Sequence, residues 1–479
     1  MVQPPRKVVR DLLKYLTFLA GAMIAGGAAF AGPASGQTAE QPVRPLSLSE
    51  ALDYAGSHYP SVRAALAQKV AAEKDVDVAR AAYLPQVNLL YQINRATVNN
   101  ITGVLLPQSV IPSISGPVLP ETGKSDWNSG AGALVTWRPF DFGYRAARVD
   151  AARQGEAVAA QAVALTELDV VTATANAYMN LIAAQSLATV AQSNVDRLHA
   201  LASTVHVLVD NKLRAGVDGE QADAAEALAK TTLIGALGNV DAQRATLAKL
   251  IGRPTEQVVV DTALAESLPA QGLDAAPRPV DTHPAALQEA ARVKQQDAQL
   301  RAIDRSYAPQ IDIVGSASDR GSGKTPAGAF LGGDAGLTPD VGNWSVGVQV
   351  TVPLGSYPAL HSQQQAQRAR LNAERDRYEQ TLGDLNERLS QARTALHSAE
   401  GIAQISPIGL AAAQRSEQQQ RARYQSGLAT VVDVTAAEAA LAQAESQDAI
   451  ARLNVWRTSA ELAAAQGDLA PFRDLAASH

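Results

Sequence analysis

The sequence predicts a mainly α-helical α+β chain, internally duplicated, with two long helical hairpins and two antiparallel strand pairs. Three observations predict it. Pro-free, Ala-rich stretches run far beyond the length of an ordinary helix. Short segments of alternating polarity recur, each reached or closed by a proline. The landmarks then appear twice in the same order, the signature of a duplicated unit. Aromatics make up only 4% of the 479 residues, so packing must come from small residues over long, thin contacts.

Composition excludes several classes. With 41 Lys plus Arg against 47 Asp plus Glu, the chain lacks the basic footprint of a nucleic-acid partner. It has no Cys, which removes disulfides, thiolate metal sites, Cys nucleophiles and an acylated N-terminal Cys. Arg6, Lys7, Arg10 and Lys14 precede an apolar stretch from Tyr15 to about Ala28, and Ala29-Phe30-Ala31 offers a small-x-small cleavage pattern. Residues 1–31 therefore read as a secretory signal peptide, with cleavage after Gly36 and a single N-terminal anchor as the other readings. Mean hydropathy is -0.07, and no further run long enough for a membrane helix is expected.

The first repeat spans 32–253 and the second 282–467, with a connector at 254–281 and a tail at 468–479. Tyr59-Pro60 matches His283-Pro284, and Tyr83-Leu84-Pro85-Gln86 matches Tyr307-Ala308-Pro309-Gln310, both at an offset of 224. Trp127 to Pro139 recurs as Trp344 to Pro353, and Arg214-Ala215-Gly216-Val217 as Gln425-Ser426-Gly427-Leu428.

Each repeat opens with a helix. Ser47 and Glu50 form a capping-box pattern, and Pro60 predicts a break. Val87, Leu89, Tyr91 and Ile93 then alternate as a strand, with Ile311 and Ile313 as the weaker copy. Gly- and Pro-rich loops at 99–124 and 319–342 lead to the returning strands Trp127–Trp137 and Trp344–Val352. From Tyr144 to about Leu213 one helix of roughly 105 Å is predicted. Leu168, Val171, Ala175, Tyr178 and Ile182 step by three and four as a seam, repeated by Leu382, Leu385, Leu389, Ala392 and Leu396. Gly216 and Gly427 are placed as left-handed C-caps before the next helix. Gly401, Pro407 and Gly409 predict a bend or short break in the second hairpin.

Four strands are too few to close a barrel by themselves. An exported chain with two strand pairs suggests a shared barrel, with eight strands in a dimer or twelve in a trimer. Trp127, Trp137 and Trp344 near strand ends suit an aromatic girdle; the alternative is Trp in the core of a soluble sheet.

These residues resemble the TolC-like outer-membrane efflux and export channels, across essentially the whole mature chain. The carriers are Leu46-Ser47-Leu48-Ser49-Glu50-Ala51-Leu52, the Tyr-x-Pro-Gln entries, Arg138-Pro139-Phe140-Asp141-Phe142-Gly143, and Tyr424-Gln425-Ser426-Gly427-Leu428-Ala429-Thr430 with Asp433. The resemblance implies a homotrimer in the outer membrane: a twelve-stranded β-barrel, continued by a twelve-helix α-barrel through the periplasm. It also implies a periplasmic adaptor and an inner-membrane pump as partners. Arg214, Gly216, Val217, Gly427, Leu428 and Thr430 would then contact the adaptor, with Trp127 and Trp344 as the girdle against outer-membrane lipid. Asp433 would form an inward-facing acidic ring at a closed entrance, single because the next layer falls on Ala436. The other reading of Asp433 is a first-turn Asp stabilised by the helix dipole. Tyr424 would bond an acidic residue of the first tip, Asp223, displaced by one position from the family pattern. Asp218-Gly219 also stands where a small hydroxyl residue is usual.

Rival chemistry is weak. Gly321-Ser322-Gly323-Lys324-Thr325 lacks the first Gly of a phosphate loop, and Pro326 follows it. His199 and His206, seven apart on a helix, have no third ligand in view. No enzyme, cofactor or metal site is expected. The functional reading is a passive channel of a tripartite efflux system. Type I protein secretion is an alternative cargo for the same architecture, and a non-conducting periplasmic coiled-coil scaffold is the alternative class.

Overall fold

The computed structural model describes residues 44–97, 125–265, 267–269, 278–323, 325 and 329–477. The segment 1–31 expected to be a signal peptide, the expected loop at 99–124 and Lys324 lie outside the described residues. Pro45–His479 forms one compact unit.

Helix α1 (Leu48–His58) starts on the capping box: Ser47 Oγ accepts from the Glu50 amide at 3.2 Å, and Glu50 Oε2 accepts from the Ser47 amide at 3.1 Å. It stops at Tyr59, which is extended, because Pro60 occupies the first turn of α2 (Pro60–Ala81). Strands β1 (Gln86–Thr97) and β2 (Ser125–Phe140) pair antiparallel. Helix α3 (Tyr144–Asp210) is 67 residues, roughly 100 Å, and returns as α4 (Gly216–Ile251). The second copy repeats the order: α5 (Pro284–Arg305), β3 (Gln310–Ser322), β4 (Val341–Thr351), α6 (Tyr357–Gln425) and α7 (Val431–Ala465), with α8 (Ala470–Ala477) after it.

The strand pairs are not separate. β2 also pairs with β3, so the order is β1-β2-β3-β4 in one antiparallel sheet. β3 reaches four residues and β4 two residues into the stretch read as loop, 319–342.

Two four-helix layers hang from the sheet. α2, α3, α5 and α6 pack side by side next to it; further away α4, α3, α7 and α6 do so, with α3 and α6 running through both. Seam residues Val171, Ala175, Tyr178 and Ile182 are buried, as are Leu385, Leu389, Ala392 and Leu396. The largest buried rings gather where the layers meet, and Trp456 lies edge-on to Phe472 at 6.4 Å. There Tyr178 Oη donates to the Leu46 carbonyl at 2.8 Å and accepts from the Asp261 amide at 3.2 Å, tying the connector to α3.

Two expectations change here. The short break expected at Pro407 is not made: α6 runs as one helix of 69 residues through it. Proline removes one ladder bond, but packing along α5 and α7 supports the helix on both sides of it. A further apolar run does exist beyond the N-terminus: α3 holds an 18-residue window of mean hydropathy 1.3, long and apolar enough to cross a membrane. Its Ala, Val and Leu raise hydropathy without bulk, which also suits a helix lined by α2, α4, α5 and α7.

Candidate functional site

The free ends of the two hairpins carry most of the residues singled out above. Each end is the same six-residue turn. After α3, the Leu213 amide donates to the Leu208 carbonyl at 2.8 Å and the Lys212 amide to the Val209 carbonyl at 2.9 Å. After α6, Leu428 donates to Arg423 at 2.8 Å and Gly427 to Tyr424 at 3.0 Å. Both are Schellman motifs, which place one residue in the left-handed region. That residue is Gly427 (φ 76°) in the second copy and Lys212 (φ 57°) in the first.

Gly216 is therefore not a C-cap. It is the first residue of α4, and the repeat offset at the turn is 215 rather than the 211 that matching Gly216 to Gly427 requires. In the corrected register Ala215 and Thr430 are the two N-caps, and Asp218 is the counterpart of Asp433. Leu213 and Val217 match Leu428 and Val432. All four are exposed, at 69%, 58%, 70% and 52%, so both ends present the same apolar pair, one residue in the turn and one in the first turn of the next helix. Sequence reading missed Leu213 and Val432 because the misplaced glycine hid the register.

Asp433 closes the capping box of α7. Its Oδ2 accepts from the Thr430 amide and hydroxyl, both at 2.8 Å. These bonds favour the ionised form and hold its carboxyl below the usual range. Tyr424 is 3% exposed. The Arg214 guanidinium stacks over its ring at 4.8 Å and donates to its carbonyl at 3.2 Å, so the first tip clamps the second. Among the described residues the Tyr424 hydroxyl has no hydrogen-bond partner, and burial raises its pKa. The proposed bond to Asp223 is not made within the chain: Asp223 Oδ1 instead lies 2.9 Å from His206 Nε2. The register explains the miss, since Asp223 corresponds to Glu438 and not to an acid beside Tyr424.

Above the tips, Glu438 is fully buried between α3, α6 and α7. Arg197 Nε donates to its Oε2 at 2.8 Å, and Arg421 binds its Oε1. Arg197 also bridges Glu445 at 2.9 Å. Glu417, 2.7 Å from Arg421, is pushed up by burial and by its hydrogen bond with Glu438. No motif announces this cluster.

At the other end of the helices the sheet is two-faced. Ladder partners place Val87, Leu89, Tyr91, Ile93, Trp137, Ile313, Trp344, Val346, Val348 and Val350 on one face. Asn88, Gln92, Asn128, Ser316, Ser318, Asn343 and Gln349 lie on the other. Trp344 is 81% exposed, and Trp127 carries the Arg95 guanidinium at 5.6 Å. The junction between sheet and helices is built from the Arg-Pro-Phe-Asp-Phe-Gly stretch. Arg138 forks onto Asp312 of β3 at 2.7 and 3.2 Å, and Asp141 caps α3 while pairing with Arg145 at 2.6 Å. Trp137 Nε1 donates to the Tyr83 carbonyl at 3.1 Å.

The family model described as outer membrane efflux protein matches residues 51–253 and 281–468. The chain belongs to that family. By sequence, no curated protein matches it. Solved structures share the fold. CusC is 16% identical over 88% of this chain and 92% of its own, with a TM-score of 0.73. VceC of Vibrio cholerae is 19% identical over 88% and 96%, TM-score 0.69. The open state of Neisseria gonorrhoeae MtrE is 21% identical over 88% and 89%, TM-score 0.66. This efflux-family chain is thus an outer-membrane protein. CusC is described as forming a transmembrane channel and MtrE as an outer-membrane channel.

Proposed function

We propose that the chain is the outer-membrane component of a tripartite efflux system, assembled as a homotrimer that passes substrates from an adaptor and pump to the exterior. One observation carries the reading: every layer has two open edges. β1 and β4 each pair on one side only. The helical layer ends in α4 and α6, whose exposed Leu228, Ile234 and Leu237, and Ile402, Ile405 and Ile408, remain uncovered. Three copies joined edge to edge would close a twelve-stranded barrel, apolar outside and polar within, with twelve helices below it. Three-fold, elongated particles in detergent extracts of outer membranes are the expected image. Compact or monomeric particles would sink the assembly.

The girdle reading gains an inner member. Trp127 and Trp137 share a face of β2 ten residues apart, roughly 34 Å along the strand and about 26 Å vertically at a 40° tilt. That is the height of an apolar band, with Trp344 between its rims. At the tips, the apolar pairs Leu213/Val217 and Leu428/Val432 flank Arg214, Gly216, Gly427 and Thr430 and suit an amphipathic adaptor helix. Asp433, ionised and exposed, supplies one carboxylate per chain to a ring. Asp433→Ala is expected to lower cation selectivity in planar bilayers, and an unmoved reversal potential would remove the ring.

A further inference from the structure

The register that pairs Lys212 with Gly427 also pairs the residues above each turn. His206 stands where the second hairpin has Arg421, and Asp223 where it has Glu438. Both pairs bridge the two helices of their own hairpin.

Their surroundings differ. Glu438 is fully buried, and the second hairpin adds Arg197 from α3 to the same carboxylate at 2.8 Å. Guanidinium groups stay charged at every physiological pH, so Glu438 keeps both cations even when Glu417, pushed up by burial and by Glu438, takes a proton. In the first hairpin, His206 and Asp223 are each about half exposed. Asp210 of α3 and Glu220 of α4 add negative charge near the imidazole, so three carboxylates act on it. Gly219 lets the ring lie close to α4, since a Cβ there would come within 3.3 Å of His206 Cε1. His199 makes a similar contact with Glu226 at 3.0 Å, but Lys230 already neutralises that carboxylate at 2.5 Å.

We propose that the hairpin ends are unequal: in the second, two guanidinium groups keep Glu438 paired whatever the state of Glu417 beside it, whereas the His206–Asp223 pair makes the packing of the first respond to protons between about pH 6 and pH 8. A neutral imidazole offers Asp223 an ordinary hydrogen bond, and an imidazolium offers a charge-assisted one. The hydrogen bond to Asp223, then its charge, hold His206 protonated above the ordinary range. The contribution is therefore complete below about pH 6.5 and fades as pH rises through the elevated folded value. A more acidic periplasm tightens the first hairpin alone. This inequality lies within one chain and does not depend on conduction.

Amide hydrogen exchange on the full-length protein in detergent tests it, at about pH 8 and about pH 6, each corrected for the intrinsic rate. Residues 203–226 should gain about two- to fivefold protection at the lower pH, the range of an exposed ion pair, while residues 418–441 stay level. His206→Gln should flatten the response, and His206→Lys should hold protection high at both pH values. An equal response in both hairpins, or one that survives His206→Gln, would overturn the proposal. Should His206→Gln fail to assemble, the comparison between hairpins of the native protein and the His206→Lys variant still decides it.

Discussion

Glu438 has no contact with solvent and two guanidinium groups on its oxygens. Removing one partner of a buried pair costs about 3–5 kcal/mol in a fully dry site, but here Arg197 keeps Glu445 and Arg421 keeps Glu417. Arg197 and Arg421 still reach water, at 23% and 38% exposure, so Glu438→Ala should cost about 2–3 kcal/mol. A lowered thermal midpoint in detergent, with assembly intact, is the expected reading. Little of this was legible in sequence. Asp433 and Tyr424 stand in a pattern that can be recognised, whereas Arg197 and Glu438 are 241 residues apart and acquire meaning only as neighbours. The closing bond between Tyr424 and Asp223 is not made within the chain, where Asp223 meets His206, a partner that no local pattern records.

At the scale of elements, the two turns show one backbone solution filled by different side chains. Gly427 adopts φ 76° without strain, while Lys212 holds φ 57° with a Cβ. Gly427→Ala should destabilise its turn by about 1 kcal/mol, roughly a fivefold rise in the open population. Limited chymotrypsin cleavage at Tyr424 and Leu428 would report it. Lys212→Gly should change stability by less than about 1 kcal/mol, because relieved strain is offset by a looser unfolded chain. Capping and strand alternation were readable locally: Ser47 with Glu50, Pro60, and Val87 to Ile93 behave as their chemistry requires. At Pro407 the helix does not break, because the contacts along its 69 residues outweigh a local penalty of about 3 kcal/mol.

On the scale of the whole molecule, the open edges of sheet and helical layer govern assembly. Ile405 is exposed on α6, so a charge there should leave the single chain folded and weaken the ring. Ile405→Glu is expected to keep the helical circular dichroism of the native protein and to elute at lower mass in light scattering; an unaltered trimer would show that this edge is not a contact. The amino-acid sequence alone determined the duplication, the four strands, the long Pro-free helix of the first copy and the absence of thiol chemistry, since each follows from local composition and period. Only the tertiary structure decided that the strand pairs join through β2 and β3, that Lys212 rather than Gly216 matches Gly427, and that His206 and Arg421 stand at equivalent places. Those choices depend on helix phase and on partners distant in the chain, and no local pattern records them.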